Sequence, residues 1–376
     1  MKKILFIDDS TLMRRIFCDI INSDPRFVVE DTAADGLEGL KLVKEKSYDL
    51  ILLDLMMPKM DGITFLKKMN QMQYPAKVVI FSMVAGEGTH ITIEALSLGA
   101  TDFITKPQSI EEVHSEKFKK LFFKIISSVV FEDEADITNL HLCEQYESKM
   151  HESDANLHKH NGNVIAGLIK KKDKKSHGQQ AKKVVAIASS TGGPKALMEV
   201  LPYLPADLDA PVLVVQHMPA GFTDSLAKRI DSVSKLKVQE ASDGMILEKG
   251  NVYIAKGGFH MEIRHKNRAD RICLFDGCTR EGVKPCANYM FESLANSKFQ
   301  EVVCVVLTGM GADGTEGIEN LKNSKTVYVI TQSKETCAVY GMPRAVDMAE
   351  LTNESVPLDK VAEAIIKNVG VMKDGC

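Results

Sequence analysis

Apolar residues in the first 130 positions fall into short runs that alternate with amphipathic stretches. The runs with the character of buried strands are KKILFID, FVVEDTA, DLILLD, KVVIFS and DFITKP. In the last amphipathic stretch, apolar side chains recur at the spacing of one helix face, at Phe118, Leu121, Phe122, Ile125, Ile126 and Val129. Strands that alternate with helices predict a parallel sheet covered by helices on both faces.

The same alternation restarts at residue 182. Its strand-like runs are VVAIA, PVLVVQ, NVYIA, VVCVVL and TVYVIT, with helix-like stretches between them. The runs HMEIRHK and DRICLFD have no helix between them, which favours an inserted hairpin. We therefore predict an α/β protein with two doubly wound parallel-sheet domains, the second of which carries a hairpin.

Residues 131–181 interrupt this pattern with a mainly acidic and polar segment that includes five of the ten histidines and the basic tract KKKDKK. Because little apolar surface is available for burial, we expect a largely disordered linker. We interpret its histidines and basic tract as solvated, in preference to a metal site or a contact with acidic lipid or nucleic acid. The predicted domains are 1–130 and 182–376, joined by this linker.

Composition narrows the class of protein. The net charge of −4 provides no overall basic field for nucleic acid, and no apolar run reaches the ~18 residues of a membrane span. The start, MKKILFIDDS, lacks the apolar region of a signal peptide. The eight cysteines lie mostly in apolar patterns, and the spacing of Cys273, Cys278 and Cys286 matches no zinc module. We expect a cytoplasmic protein with reduced thiols and no membrane insertion.

Polar residues follow the strands of the first half. Asp8 and Asp9 follow the first strand, Asp54 ends the third, Ser82 ends the fourth and Lys106 ends the fifth. The carboxyl ends of parallel strands share one edge of a sheet, where ligands bind. Three carboxylates at one place favour a hard cation such as Mg²⁺, and a lysine with a hydroxyl suits a phosphoryl group. This set predicts phosphoryl transfer onto Asp54.

Residues 1 to about 125 resemble the receiver domain of response regulators. The motifs that carry the resemblance are DD, LLDLMMPKMDG, FS and KP. It implies a flavodoxin-like fold, Asp54 as the phosphoacceptor, and Asp8 and Asp9 with Asp54 as ligands of Mg²⁺. It further implies that Ser82 and Lys106 contact the phosphoryl group.

The resemblance also places Phe103 at the position of the family's switching aromatic residue. Phosphorylation adds roughly −1.5 to −2 charges at neutral pH, enough to change the balance between two conformations of a domain surface. The first half is thus expected to be a switch that controls the second half.

Strand ends of the second half carry a different chemistry. Ser190 follows VVAIA in the turn IASSTGGP, His217 follows PVLVVQ, and Asp313 follows VVCVVL in the loop TGMGADG. A hydroxyl nucleophile needs a base, and the base needs a carboxylate that fixes its tautomer. Backbone N–H groups near Met310 and Gly311 are candidates for an oxyanion site.

Spacing alone leaves alternatives open. Ser189 is a second candidate nucleophile, His260 a second base, and Asp224 and Asp243 are further candidate carboxylates. The turn lacks both the complete G-x-S-x-G of a serine elbow and the spacing of a phosphate-binding loop. A nucleotide-binding output would use the two Gly-Gly pairs at 192–193 and 257–258. A DNA-binding output is a further class, although no helix-turn-helix pattern follows residue 182.

Residues 182 to about 370 resemble the catalytic domain of chemotaxis protein-glutamate methylesterases. The matching stretches are AIASSTGGPKAL, VVQHMPAGFTDSLAKRI, ASDGMILEKGNVYIAKGGFHMEI, VVLTGMGADGTEGI and AVYGMPRAV. Two stretches depart from the family: AKGGFHM lacks the usual proline before its glycines, and KPCANYMFES replaces a Pro-Ser-Val-Asp-like stretch, with Ala287 and Asn288 for Val and Asp. Because the departures leave the three proposed catalytic residues untouched, we expect them to affect substrate docking more than the chemistry.

This resemblance implies a Rossmann-like three-layer domain with Ser190 as nucleophile, His217 as base and Asp313 as orienting carboxylate. Thr191 and Met310 would line the oxyanion site, and the esterase site would need no cofactor. The implied activity is hydrolysis of glutamyl γ-methyl esters on chemoreceptors, and deamidation of receptor glutamines. The implied partners are a chemotaxis histidine kinase as phosphodonor and methyl-accepting chemoreceptors as substrate.

Overall fold

The computed structural model describes residues 1–82, 87–131 and 181–372. The first lobe, within residues 1–131, is built on a parallel sheet of five strands in the order β2-β1-β3-β4-β5. These strands are β1 (Lys2–Ile7), β2 (Phe27–Ala33), β3 (Leu50–Asp54), β4 (Lys77–Ser82) and β5 (Asp102–Thr105). This order and the parallel register confirm the flavodoxin-like prediction.

Helices cover both faces of the first sheet because successive strand residues alternate between its two sides. Side chains of α1 and α6 pack on one face, and those of α2, α3 and α4 pack on the other. The helices of this lobe are α1 (Thr11–Asn22), α2 (Gly36–Glu45), α3 (Gly62–Gln71), α4 (Glu87–Ser97), α5 (Ile110–His114) and α6 (Glu116–Val130).

The second lobe, within residues 181–372, is built on a parallel sheet of seven strands in the order β14-β13-β12-β6-β7-β9-β8. Its strands are β6 (Lys183–Ser189), β7 (Val212–Gln216), β8 (Lys237–Glu240), β9 (Asn251–Ile254), β12 (Glu301–Val306), β13 (Thr326–Gln332) and β14 (Glu354–Val356). The antiparallel pair β10 (His260–Lys266) and β11 (Ala269–Phe275) forms the predicted hairpin.

Two helical layers enclose the second sheet. One layer contains α7 (Gly193–Val200), α8 (Phe222–Asp231) and α12 (Leu358–Val369), and the other contains α9 (Ala287–Ser293), α10 (Thr315–Lys322) and α11 (Met342–Met348). The first of these layers shares a continuous apolar core with the first lobe, in which Ile93 and Phe103 join Met218 and Phe222. The two lobes therefore belong to one compact unit.

The predicted strands are present in both lobes, and the pattern missed only two edge strands of the second sheet. Strands β8 and β14 have four and three residues, and their side chains are mostly half-buried or exposed. Edge strands of this kind lack the continuous apolar run that identifies a central parallel strand. The expected linker at 131–181 lies almost wholly outside the described residues.

Among the described residues, no helix combines the length and apolar character that crossing a lipid bilayer requires.

Candidate functional site

One lysine and two carboxylates meet at the carboxyl edge of the first sheet. Lys106 Nζ lies 2.7 Å from Asp54 Oδ2 and 2.8 Å from Asp8 Oδ2, and both carboxyl groups are buried. Burial raises the pKa of Asp54, and repulsion from Asp8 adds to this, while Lys106 opposes both. The lysine thus neutralises carboxylates that would otherwise repel each other in a poorly solvated site.

Asp8, Asp9 and Asp54 form an acidic cluster typical of a Mg²⁺ site. Each offers one carboxylate oxygen, and these oxygens lie within 4.8 Å of one another. Asp8 and Asp54 are buried, whereas Asp9 is exposed. A set of hard oxygen donors, open to solvent on one side, fits a cation that keeps several water ligands.

The other two residues predicted for the first site occupy different surroundings. The hydroxyl of Ser82 is hydrogen-bonded to that of Thr92 on α4, at 2.7 Å. Phe103 lies in the contact between the lobes, where its ring centroid is 4.5 Å from that of Phe222. The predicted switch aromatic therefore packs directly against the second lobe.

Strand register places Ser190 beside His217. Ser189 and Gln216 are paired residues of β6 and β7, so the residues that follow them leave the sheet side by side. Gln216 holds the residues that follow both strands: its Nε2 donates to the carbonyl of Ser190 at 2.9 Å and to that of His217 at 3.2 Å. Ser190 is half-buried, and its hydroxyl makes no hydrogen bond with any described residue.

Asp313 reaches His217 from the loop after β12. Strand β12 pairs with β6 on the side opposite to β7. His217 Nε2 lies 2.7 Å from Asp313 Oδ2, and the aspartate is only 2% exposed. Burial alone would raise the pKa of Asp313, but the hydrogen bond and charge attraction from His217, with the N–H of Ala287, hold it below its usual value. The carboxylate is therefore ionised, and Nε2 of the imidazole is the nitrogen that carries the proton.

The rival residues are engaged elsewhere. Ser189 is fully buried, and its hydroxyl donates to Gln216 Oε1 at 2.7 Å. His260 donates from Nε2 to the carbonyl of Cys278. Asp224 forms an ion pair with Lys228 along α8, and Asp243 accepts the N–H of Leu274. Among the described residues, only His217 and Asp313 form a histidine–carboxylate pair at the strand end beside Ser190.

The loop after β12 packs closely on the serine. A Cβ atom added to Gly309 would lie 2.8 Å from Ser190 Cβ, and Ser190 N–H donates to the carbonyl of Thr308 at 3.0 Å. The backbone N–H groups of Thr191 and Met310 donate to no other described residue. Both groups are thus free to donate to an oxygen bound near the serine hydroxyl.

The glycine pairs have packing roles. Gly192 has a φ of +77° and donates its N–H to the carbonyl of Thr101 in the first lobe. Gly257 donates to Thr223 Oγ1, and a Cβ at this position would collide with the backbone of Pro219. These contacts explain the glycines without a bound phosphate.

The first lobe touches the turn that holds Ser190. Asp102 Oδ2 accepts a hydrogen bond from Thr191 Oγ1 at 2.6 Å, next to the contact of Thr101 with Gly192. Burial raises the pKa of Asp102 to about 6. Between α4 and α8, the hydroxyls of Thr89 and Ser225 lie 3.0 Å apart.

Sequence reasoning missed four residues at or next to the second site. Gln216 is a polar residue at the end of an apolar strand, a signal that was available in the pattern. Cys286 and Asn288 contact Asp313 across 25 to 27 positions of sequence, and nothing in their local pattern indicates this. Asp102 likewise gave no sign of a contact with Thr191, because it begins an ordinary strand.

Both lobes are similar to known protein families. Residues 4–116 match the response regulator receiver domain, and residues 185–365 match the family described as CheB methylesterase. A protein-glutamate methylesterase/protein-glutamine glutaminase of Geobacillus kaustophilus is 36% identical over 368 residues, which cover 98% of this chain and 99% of the relative.

Further similarity extends to a second relative and to a solved structure. Protein-glutamate methylesterase/protein-glutamine glutaminase 2 of Methanosarcina mazei is 38% identical, with 97% of this chain and 95% of the relative covered. The crystal structure of the Thermotoga maritima CheB methylesterase catalytic domain is 40% identical, covers 50% of this chain and 100% of that chain, and has a TM-score of 0.49.

The close approach of Gly309 to Ser190 generates a prediction. Gly309→Ala should slow labelling of Ser190 by a fluorophosphonate at least tenfold, because the new methyl group displaces the serine or the loop that faces it. The measurement is the labelling rate by mass spectrometry, with the melting temperature as a check on folding. The control is Gly244→Ala: its new Cβ meets no atom within 4 Å, although Gly244, unlike Gly309, has a positive φ of +80°. A wild-type labelling rate in Gly309→Ala would contradict the placement of this loop.

Proposed function

The chain belongs to the CheB-type protein-glutamate methylesterase/protein-glutamine glutaminase family of chemotaxis adaptation enzymes, and on this premise we propose that Ser190, His217 and Asp313 are its catalytic residues. The observation that carries the proposal is the pairing of His217 with a buried, ionised Asp313 at the strand end beside Ser190. The proposed substrate is a glutamyl γ-methyl ester on a chemoreceptor, which the methylesterase domain implies.

In the first half of the reaction, Ser190 Oγ attacks the γ-carbonyl carbon of the ester. His217 Nδ1 accepts the hydroxyl proton, because Nε2 already carries the proton bonded to Asp313. The carbonyl oxygen becomes an oxyanion, and the N–H groups of Thr191 and Met310 are the donors proposed to stabilise it. Loss of one such donor typically costs about 3–4 kcal/mol in activation free energy.

In the second half, the bond between the γ-carbon and the methoxy oxygen breaks. The imidazolium gives its proton to this departing oxygen, which leaves as methanol. A water molecule then attacks the acyl-enzyme while His217 accepts one of its protons. His217 returns this proton to Ser190 Oγ as the bond from the acyl carbon to Ser190 breaks, which leaves glutamate and the free serine. A glutamine substrate follows the same course, with ammonia in place of methanol. The same three residues therefore serve both activities in the family's name.

The first lobe is the regulatory switch. A chemotaxis histidine kinase supplies the phosphoryl group: an Asp54 oxygen bonds to phosphorus as the bond from phosphorus to the kinase's histidine nitrogen breaks. Mg²⁺ held by Asp8, Asp9 and Asp54 would neutralise charge on the phosphoryl oxygens. Lys106, already within 2.7 Å of Asp54, and Ser82 are the proposed phosphoryl contacts.

Inhibition of the unphosphorylated enzyme follows from the contacts between the lobes. Thr101 is hydrogen-bonded to Gly192, and Asp102 to Thr191; these are the two residues after the nucleophile. Phe103 packs on Phe222. A receptor segment approaching Ser190 meets this contact. Phosphorylation shifts the enzyme towards an open state to the extent that it favours that state over the closed one.

The proposed domain limits are 1–130 for the receiver and 182–376 for the methylesterase, joined by the linker 131–181. The proposed location is the cytoplasm, where the kinase and the signalling parts of chemoreceptors are found. Neither nucleic acid nor membrane insertion enters the proposed function.

The nucleophile is tested with two neighbouring serines. Ser190→Ala should lower methanol release from methylated receptor membranes by about 10³-fold or more, because the variant lacks the hydroxyl proposed to form the acyl-enzyme. Ser189→Ala is the matched control and should retain most of the activity, since its hydroxyl bonds only to Gln216. Full activity in Ser190→Ala would refute the assignment.

The phosphoacceptor is tested with a small phosphodonor. Acetyl phosphate with Mg²⁺ should increase methanol release by the wild-type enzyme and leave Asp54→Ala at its basal rate. Asp19→Ala, which removes an exposed carboxylate on α1, should respond like the wild type. An Asp54→Ala enzyme that is still activated would show that another group accepts the phosphoryl.

The contact between the lobes is tested at Asp102. Asp102→Ala removes the hydrogen bond to Thr191 and should raise the basal rate of the unphosphorylated enzyme several-fold, while the phosphorylated rate stays unchanged. Asp19→Ala again serves as the control. If the basal rate does not rise, this hydrogen bond does not help to hold the enzyme closed.

A further inference from the structure

A buried cysteine contacts the catalytic carboxylate. Cys286 Sγ lies 3.0 Å from Asp313 Oδ1, and the cysteine has no exposure to solvent. The next two residues also donate to Asp313: the N–H of Ala287 lies 2.6 Å from Oδ2, and that of Asn288 lies 2.9 Å from Oδ1. Among the described residues, Asp313 therefore accepts hydrogen bonds from His217 and from one turn, residues 286–288 at the start of α9.

The protonation states of the two groups determine the direction of the contact. Burial raises the pKa of the Cys286 thiol, and the negative charge of Asp313 raises it further. The pKa of Asp313 is instead held below its usual value, so the carboxylate is the unprotonated partner. The thiol therefore keeps its proton and donates it to Oδ1.

The same turn holds the backbone that follows Asp313. Asn288 Oδ1 accepts the N–H groups of Gly314 and Gly317 at 2.9 and 2.7 Å, and its Nδ2 donates to Glu281 at 2.6 Å. Asn288 is fully buried, and a Cβ on Gly317 would lie 2.7 Å from its Cα. The backbone position of Asp313 is thus fixed independently of the thiol, which leaves the thiol free to affect the charge on the carboxylate.

We propose that Cys286 is a positioning residue whose S–H···O bond to Asp313 Oδ1 sets how strongly that carboxylate attracts the proton on His217. This inference rests on the proposed catalytic triad. A thiol is a weaker donor than a hydroxyl or an N–H. It satisfies a buried oxygen while withdrawing little of the negative charge that stabilises the imidazolium formed during catalysis.

The kinetic test compares two variants: Cys286→Ser replaces the thiol by a stronger hydrogen-bond donor, and Cys286→Ala removes the donor. Cys286→Ala leaves Oδ1 with one donor fewer, and Asp313 then attracts the proton on His217 more strongly. The acidic limb of the pH profile of kcat/KM should move to higher pH by a few tenths of a unit. Cys286→Ser should move this limb to lower pH. We also expect Cys286→Ala to lower kcat/KM by about threefold to tenfold at the optimum, since Asp313 is held less firmly.

The control is Cys304→Ala, which removes a buried thiol from β12 that makes no contact with the triad. It should leave the midpoint of the acidic limb unchanged even if it lowers the melting temperature. A purely structural role of Cys286 predicts a loss of activity or stability with no opposite displacement of the midpoints in the alanine and serine variants. That result would overturn the proposal.

Infrared spectroscopy provides a readout that does not require activity. The difference spectrum of wild type minus Cys286→Ser isolates the S–H stretching band of this thiol, which should lie at the low frequency of a hydrogen-bonded group. In an Asp313→Asn background, the band should move to higher frequency, because an amide oxygen is a weaker acceptor than a carboxylate. A band at the frequency of a free thiol, unchanged in that background, would refute the contact.

The two hypotheses fail in different ways. An active Ser190→Ala enzyme would remove the triad on which the inference rests. An inactive Ser190→Ala enzyme, combined with unmoved pH midpoints in the Cys286 variants, would leave the triad standing and remove only the role of the thiol.

Discussion

The carboxylate of Asp313 carries a negative charge at a position that is almost inaccessible to water, and the second lobe provides several hydrogen-bond donors to it. An unpaired buried charge is strongly destabilising, so such groups persist only where several donors converge. His217, Cys286 and the N–H groups of residues 287 and 288 are those donors. These donors come from two separate parts of the chain, and the arrangement of β12, β6 and β7 as neighbours is what allows His217 and Asp313 to meet.

Both lobes use the same property of parallel sheets, with different side chains. In each lobe the strands end at one edge, and the residues that follow them form the site. The first edge gathers three carboxylates and a lysine, a set suited to a cation and a phosphoryl group. The second edge gathers a hydroxyl, an imidazole and one carboxylate, which suit acyl transfer. Chemistry in this protein is thus determined by a few strand-end residues on two related frameworks.

Contact between the lobes connects the two sites. The acidic cluster follows the carboxyl ends of the strands of the first sheet, whereas Thr101 and Asp102 lie at the opposite end of β5 and contact Thr191 and Gly192. Phe103 lies between these positions along the same strand and packs on Phe222. One short strand therefore joins the proposed site of phosphorylation to the proposed nucleophile turn.

The sequence by itself determined the fold class, the two parallel sheets, the hairpin and the strand-end residues, because burial on both faces leaves continuous apolar runs whose polar ends are easily recognised. The spacing of residues alone left Ser189 as an alternative to Ser190 for the nucleophile, and His260 as an alternative to His217 for the base. The resemblance to the methylesterase family favoured Ser190 and His217, and the tertiary structure adds that Ser189 is bonded to Gln216 and His260 to Cys278. The contacts of Cys286 and Asn288 with Asp313, and of Asp102 with Thr191, also required the folded chain. They join residues far apart in sequence, and a local pattern carries no information about which distant group a side chain will meet.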